Sequence, residues 1–395
     1  MAIAMWYNRI INLRRRLITM SVPKIVERNK DVEHIMHASC NWGLFAQAKR
    51  KNKLFAMLVT TDVHECTRQL SSAIEYLNYY DAIDCGVCLG DIQQSNYIKT
   101  DGTWYVNEVL KSKKPFLSVL GNHDVGNSSD AAISGTCEMA FDKFIRPTAP
   151  VTGIENLDKS YFVKCFDEYK IAFIGLDNYR TPTDKDENGN YIIKRGVEGT
   201  SQEQIDWLIE TLGNIPEGYH VIIGMHSFPY TATKIKCAFT QEYPPCFNSL
   251  PQGRTIYGDD NIFTDIVDAW VNGDKLDRAY EPVQYKELCP TLTVKCDFSA
   301  RGKGDFVAYV SGHMHNDIVF RSAKYEYQKG IVFAATATDN WQNYGSDLPR
   351  ETDTKSEDAI TVMSVNTDRR QIKLVRIGSD MTMEMTERKC MLIDY

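Results

Sequence analysis

Six apolar runs of strand length carry almost no polar alternation: "LFAMLV" (54–59), "GVCL" (86–89), "FLSVL" (116–120), "IAFIGL" (171–176), "VIIGM" (221–225) and "FVAYV" (306–310). A strand with one face in water alternates apolar and polar residues, so runs like these belong to strands covered on both faces. Helix patterns lie between them. Leu70, Ala73, Ile74 and Leu77 recur at i, i+3, i+4, i+7, and Ile205, Leu208, Ile209 and Leu212 repeat that spacing behind a capping box of Ser201 and Gln204. The alternation predicts a layered α/β fold. After residue 330, the shorter runs "IVFAA", "TVMSV" and "QIKLVRI" come without long helices and predict a second sheet packed on the first.

The chain of 395 residues is long enough for one large α/β domain or two ordinary ones, and 43% hydrophobic with 25% charged residues suits a buried core. The net charge of −7 argues against a nucleic-acid partner. No stretch approaches the roughly 18 apolar residues of a membrane span. The opening "MAIAMWYNRIINLRRRLITM" is broken by Asn8, Arg9, Asn12 and Arg14–Arg16, so it does not read as a signal peptide. Residues 1–52 read instead as a helical arm that packs on the main domain or on a neighbour in a homo-oligomer. Eleven cysteines, an odd count in a long chain, point to thiols in a reducing compartment and a cytoplasmic location. In an exported protein, Cys237/Cys246 and Cys289/Cys296 are spaced to form bridges. Cys85 and Cys88 form a CxxC inside an apolar run and read as core residues. Residues 53–345 read as the main domain. Within it, segment 230–300, rich in Pro, Tyr, Cys and charge, reads as an inserted set of loops with one helix near 261–271. Residues 346–395 read as strands completing the second sheet.

The residues just past each strand narrow the function. After 54–59 comes "TTDVHE", with Asp62 and His64; after 86–89 comes "GD", with Asp91; after 116–120 comes "GNHD", with Asn122, His123 and Asp124. After 221–225 comes His226, and after 306–310 comes "SGHMH", with His313 and His315. Each piece alone is ordinary: D-x-H is common on surfaces, Gly-Asp is usually a turn, and H-x-H on a strand is often incidental. Together they place five of the eight histidines at strand ends, leaving out only His34, His37 and His220. Ligand sites in open α/β sheets lie outside the carboxyl ends of strands. Glycine precedes three of the five groups, which allows a sharp turn and a close approach of backbone to a site.

The ordered set D-x-H, G-D, G-N-H-D, H and G-H-x-H resembles the calcineurin-like metallophosphoesterase superfamily, from about residue 54 to 316. The resemblance implies a four-layer α/β/β/α sandwich of two mixed β-sheets flanked by helices, with two divalent or trivalent metal ions (Mn, Fe or Zn) at the edge of the sheets. Carried over by motif, Asp62, His64 and His315 hold one metal, Asn122, His226 and His313 the other, and Asp91 bridges them. It implies hydrolysis of a phosphoester by attack of a metal-bridging hydroxide. The substrate reads as a small phosphodiester or phosphomonoester.

The residue types suit that chemistry. Imidazole, carboxylate and amide oxygen without thiolate fit borderline ions. Two divalent ions, two carboxylates and a bridging hydroxide sum to roughly +1, which attracts phosphate, and paired metals lower the pKa of a bridging water and polarise phosphoryl oxygens. A neutral amide at Asn122 ligates without cancelling more charge. His123 reads as a general acid toward the leaving oxygen or as a phosphate contact. Asp124 reads as a residue that orients the His123 ring or raises its pKa, and Asp177 and Asn178 as support for the site or as turn residues. Protein serine/threonine phosphatases of the family continue the second motif as G-D-x-V-D-R-G and the third as G-N-H-E. This chain has "GDIQQSN" and "GNHD", which makes protein phosphatase a minority reading, as the acidic balance does for a nuclease. The aromatic residues Phe228, Tyr230 and Tyr243 offer faces for a base or ring. A non-catalytic metal-binding scaffold is the rival reading, against which every ligand position is filled.

Overall fold

In the computed structural model, strand β1 (Leu54–Thr60) is buried along its whole length, and its two faces enter two different cores. Phe55, Met57 and Val59 face a core between two sheets, while Ala56 and Leu58 pack under helices. The structure describes residues 22–30, 54–94, 101–229, 235–237, 255–257, 262–337, 350–380 and 390–395. Thirteen of its strands form two mixed sheets. The first has the order β15-β14-β13-β1-β2-β3, with β2 Cys85–Cys88, β3 Phe116–Ser118, β13 Ala359–Asn366, β14 Gln371–Gly378 and β15 Cys390–Asp394. The second has the order β4-β5-β6-β10-β12-β11-β7, with β4 Phe162–Phe166, β5 Ile171–Gly175, β6 His220–Gly224, β7 Ile235–Cys237, β10 Asp305–Ser311, β11 Ile318–Ser322 and β12 Lys329–Val332.

The middle core joins Phe55, Val87 and Met363 of one sheet to Phe173, Ile222 and Val310 of the other. Outside the first sheet lie helices α1 (Lys24–Arg28), α2 (Thr67–Tyr79) and α3 (Thr103–Val109), with Leu70, Ala73, Ile74 and Leu77 turned inward as their spacing predicts. Outside the second lie α4 (Gln202–Asn214) and α5 (Ile262–Asn272), which bring Ile205, Leu208, Leu212, Ile266 and Trp270 against Ile174, Val221 and Ile223. These are the four layers α/β/β/α. Because each central strand has a core on both sides, none tolerates a polar alternation.

The C-terminal strands differ from the sequence expectation. They complete the first sheet, not the second: β13 pairs antiparallel with β1 from Leu54↔Asn366 to Val59↔Thr361. A fully buried β1 needs a neighbour on each edge, and β2 fills only one of them. The run "IVFAA" does join the second sheet, through β12 beside β10. Segment 230–300 is also more integral than expected. Its helix α5 stands where one is predicted but forms part of the outer layer. It is followed by a hairpin of β8 (Lys275–Tyr280) and β9 (Leu292–Asp297) whose burial alternates, as a one-faced ribbon requires. Residues 230–234, 238–254 and 258–261 of that segment, with Tyr230, Tyr243 and Cys246, lie outside the described residues.

Of the N-terminal arm, only residues 22–30 are described. There Ile25 and Val26 enter the outer core, Arg28 pairs with Glu357 (2.8 Å) and Asp358 (3.0 Å), and Asn29 Oδ1 accepts from Gly378 N–H. Cys85 and Cys88 are buried in the core, and Cys289 and Cys296 are free thiols. Among the described residues no helix is long and apolar enough to cross a membrane.

Candidate metal centre

The loops after β1, β2, β3, β6 and β10 meet at one end of the sandwich, where the carboxyl ends of strands from both sheets converge. Backbone bonds stitch them together. Asp62 N–H donates to Gly90 O and His64 N–H to Asp91 O, while Gly312 N–H donates to His226 O. The two sheets are tied at the same place, since Thr336 N–H donates to Thr61 O and Thr61 N–H to the Thr336 hydroxyl.

This closeness demands glycine. A β-carbon on Gly121 would lie 2.2 Å from Asp91 Oδ1, and one on Gly312 would lie 1.8 Å from the Thr61 hydroxyl and 2.4 Å from Asp62 Oδ2. Asp62, His64, Asp91, His313 and His315 all have positive φ, between 46° and 68°, a region that non-glycine residues seldom occupy. Such backbone persists only where the surroundings hold it, and it concentrates at functional sites.

The structure gathers the residues singled out by sequence into two overlapping groups. Asp62, His64, Asp91 and His315 each offer a ligand atom within 4.8 Å of the others, and so do Asp91, His226 and His313. Asp91 belongs to both groups. His315 Nε2 stands 3.2 Å from Asp62 Oδ1 and 3.2 Å from His64 Nε2. His226 Nε2 stands 3.0 Å from Asp91 Oδ2, and the His226 and His313 rings are 5.1 Å apart. Asn122 is buried, its Oδ1 3.5 Å from the Tyr179 hydroxyl, and the Tyr179 ring lies 6.0 Å from that of His226. His123 donates its backbone N–H to Asp91 Oδ1, and its ring Nε2 reaches to 3.9 Å from Asp91 Oδ2.

The electrostatics fit a cation. Burial alone would raise Asp62, yet His315 and His226 bring it down to about 2. Burial likewise opposes the charged form of Asp91, but His226 and His123 hold it well below the usual carboxylate range. Burial would depress His226, and the two carboxylates instead push it up to about 9. His226 Nδ1 lies 2.7 Å from Leu89 O and must donate to it. Nε2 is therefore the atom that faces Asp91 Oδ2, 3.0 Å away, and the raised pKa means that a proton lies between them while no cation is bound. A metal ion can take the place of that proton, since ligand binding requires the neutral imidazole. Buried imidazoles and carboxylates that converge on common points are the donor set of a borderline divalent ion, so the residues present fit the two metals that the motifs imply.

Asp124 differs from expectation. Its carboxylate does not hold the His123 ring but accepts three backbone N–H groups: Ile92 (2.8 Å) and Gln93 (3.1 Å) on Oδ1, and Gly121 (2.7 Å) on Oδ2. It clamps the Asp91 loop to the Asn122–His123 loop. Desolvation and the neighbouring Asp91 push it up to about 7. Burial lowers the His123 imidazole, against the pull of Asp91.

Asp177 accepts from the Ser160 hydroxyl (2.6 Å) and Tyr179 N–H (3.0 Å) and stays out of both groups. Asn178 donates to Ser227 O, one residue past His226. Phe228 packs on Phe320, ring to ring at 5.2 Å.

Two supporting residues escape a search for ligand types. Gln93 is fully buried, donates from Nε2 to the carbonyls of His123 and Asp124, and places its own carbonyl 3.3 Å from His64 Nδ1. It stands in "GDIQQSN", and its only sequence signal is a glutamine two residues past Asp91. Tyr179, also fully buried, links Asn122 to the Ser227 hydroxyl; its signal is a tyrosine just past the strand end that carries Asp177 and Asn178.

The model of the calcineurin-like phosphoesterase family matches residues 55–317, which takes in every one of these loops. The chain belongs to that family and is a phosphoester hydrolase with a buried aspartate–histidine centre of the kind that binds metal. Among solved structures it is similar to PhoD, at 10% identity over 87% of this chain and 70% of that one, with a TM-score of 0.42. It is also similar to a purple acid phosphatase from yellow lupin (Lupinus luteus) seeds, at 11% identity over 87% of this chain and 54% of that one, with a TM-score of 0.41. A third is a 5'-nucleotidase precursor from Thermus thermophilus, at 10% identity over 79% and 51%, with a TM-score of 0.35. No curated protein sequence matches the chain significantly.

Proposed function

We propose that the chain hydrolyses a small phosphodiester or phosphomonoester with two metal ions, one held by Asp62, His64 and His315, the other by Asn122, His226 and His313, with Asp91 between them. The observation that carries this reading is the sharing of Asp91 by both ligand groups, with His226 Nε2 3.0 Å from its Oδ2. Bound Mn, Fe or Zn would supply Lewis acidity toward the phosphoryl oxygens and an acidified water as nucleophile. The protein's own part is positioning and proton transfer. Asp124 and Gln93 hold the Asp91, His64 and His123 loops in register. The His123 ring, about one-tenth exposed, either donates a proton to the leaving oxygen or hydrogen-bonds the phosphate. The free thiols Cys289 and Cys296 support a cytoplasmic setting.

The test is hydrolysis of nitrophenyl phosphate and bis-nitrophenyl phosphate, side by side, by protein stripped of metal and reloaded with Mn. Metal-dependent turnover of either supports the reading, and the ratio of the two rates sets the ester class. No turnover with two ions bound favours the scaffold.

A further inference from the structure

Behind the His226 loop the chain leaves a cavity of about 70 Å³, several times the ~10–15 Å³ that seats one water. Met225, Phe228, Tyr257, Ile262 and Phe263 give it apolar walls, and among the described residues its one charged lining residue is Glu198, an acid. That lining suits an organic group better than the phosphate itself. Its position is tied to the centre: Met225 immediately precedes His226, and Asn178, also in the lining, donates from Nδ2 to Ser227 O at 2.9 Å.

With Nδ2 so engaged, the Asn178 carbonyl oxygen Oδ1 is left buried, in a residue only 7% exposed, and has no hydrogen-bond partner. The Tyr257 hydroxyl is already given to Pro290 O, and the Thr200 hydroxyl oxygen accepts from Gln204 Nε2. A buried amide acceptor without a partner is costly and calls for an explanation. A site built around such an acceptor rejects ligands that lack the matching donor.

We propose that this cavity receives the organic part of the ester, and that Asn178 selects groups presenting an N–H or O–H donor on a small apolar frame. The inference rests on the phosphoester reading of the adjoining centre and names the class of alcohol the centre serves.

Two non-hydrolysable probes test it by calorimetry on the full chain loaded with Mn: 3-hydroxypropyl methylphosphonate and butyl methylphosphonate, equal in size and differing in one donor. The expected result is about tenfold tighter binding of the hydroxypropyl compound, with the ratio falling to near one in Asn178→Leu. Should that variant not fold, Phe263→Trp, which fills the cavity, should weaken both probes at least about tenfold. Equal affinities in the unmodified protein, as water in the cavity would give, overturn the inference. So does an unchanged ratio in Asn178→Leu, or failure of both probes to bind. Turnover of the nitrophenyl esters is read separately: protein that hydrolyses them yet does not discriminate the probes loses this inference alone, while absence of turnover removes the phosphoester reading and this inference with it.

Discussion

Two clusters of buried acid in this chain look alike by burial and differ in what faces the carboxylates. Asp265, on α5, accepts from Arg278 Nη1 (2.7 Å), the Tyr280 hydroxyl (2.8 Å), Lys324 Nζ (2.8 Å) and the Tyr325 hydroxyl (2.7 Å). Every partner is a donor, and two are permanent cations, so the charge is neutralised by the protein itself and the helix is pinned to β8 and to the turn between β11 and β12. Asp62 and Asp91 face mostly imidazole rings, none of which carries an obligatory charge and each of which becomes a metal ligand when it gives up its proton. A carboxylate cluster complete in itself is structural. One completed by lone pairs is waiting for a cation.

Substitution at the two clusters should separate these roles. Asp91→Asn removes the carboxylate common to both ligand groups. Its turnover should fall by about 10³-fold or more, the equivalent of several kcal/mol of lost transition-state stabilisation, and bound metal measured by atomic emission should drop below two ions per chain. Asp265→Asn should do the reverse. Breaking a buried ion-paired network costs about 3 kcal/mol, read as a lower denaturant midpoint, while metal content stays at two. Loss of metal in Asp265→Asn, or full metal in Asp91→Asn, would erase the distinction.

Metal removal gives the next largest effect. At 100 times the dissociation constant, a ligand that binds only the folded state adds about 2.7 kcal/mol. Mn should therefore raise the melting temperature of the stripped protein and of Asp265→Asn by similar increments, and that of Asp91→Asn by far less. A smaller test concerns His123, which belongs to neither ligand group. His123→Ala should lower turnover about 10²-fold or more with metal content still near two. A fall in metal content would make His123 a ligand.

The difference between the clusters also explains what is legible in the sequence. The centre is legible because its chemistry is local: each ligand comes within five residues of the end of its own apolar run, and Gly90, Gly121 and Gly312 announce the tight approach that Asp91 and Asp62 then exploit. The capping box of α4 is legible only in part. The Ser201 hydroxyl does accept from Gln204 N–H (3.2 Å), but the Gln204 side chain reaches Asp177 and Thr200, holding the strand end where Asn178 sits. The role of Asp124 is hidden because its partners are backbone N–H groups, which no side-chain pattern reveals. The sheet order is hidden because the neighbour that β1 needs arrives some 300 residues later, in β13. Asp265 draws no notice in the sequence, since Arg278, Lys324 and Tyr325 are spread along the chain with nothing in the spacing to join them. Local chemistry leaves a mark in sequence, and long-range pairing does not.

The smallest effect distinguishes the clusters by acid. Although burial opposes it, Lys324, Tyr325 and Tyr280 together hold the Asp265 carboxyl below its ordinary value of 3.8. A group whose folded pKa is depressed contributes stability that is fully present above its unfolded pKa and is lost as pH falls through the folded one. Stability of the metal-free protein should therefore decline as pH drops below about 4, and the decline should be shallower in Asp265→Asn, which has no proton to take up there. Urea midpoints measured at steps from pH 6 to pH 3 read the slope. Parallel slopes for the two proteins would mean that the four donors do not stabilise the charged form of Asp265, and the contrast between a self-sufficient cluster and one completed by metal would lose its first half.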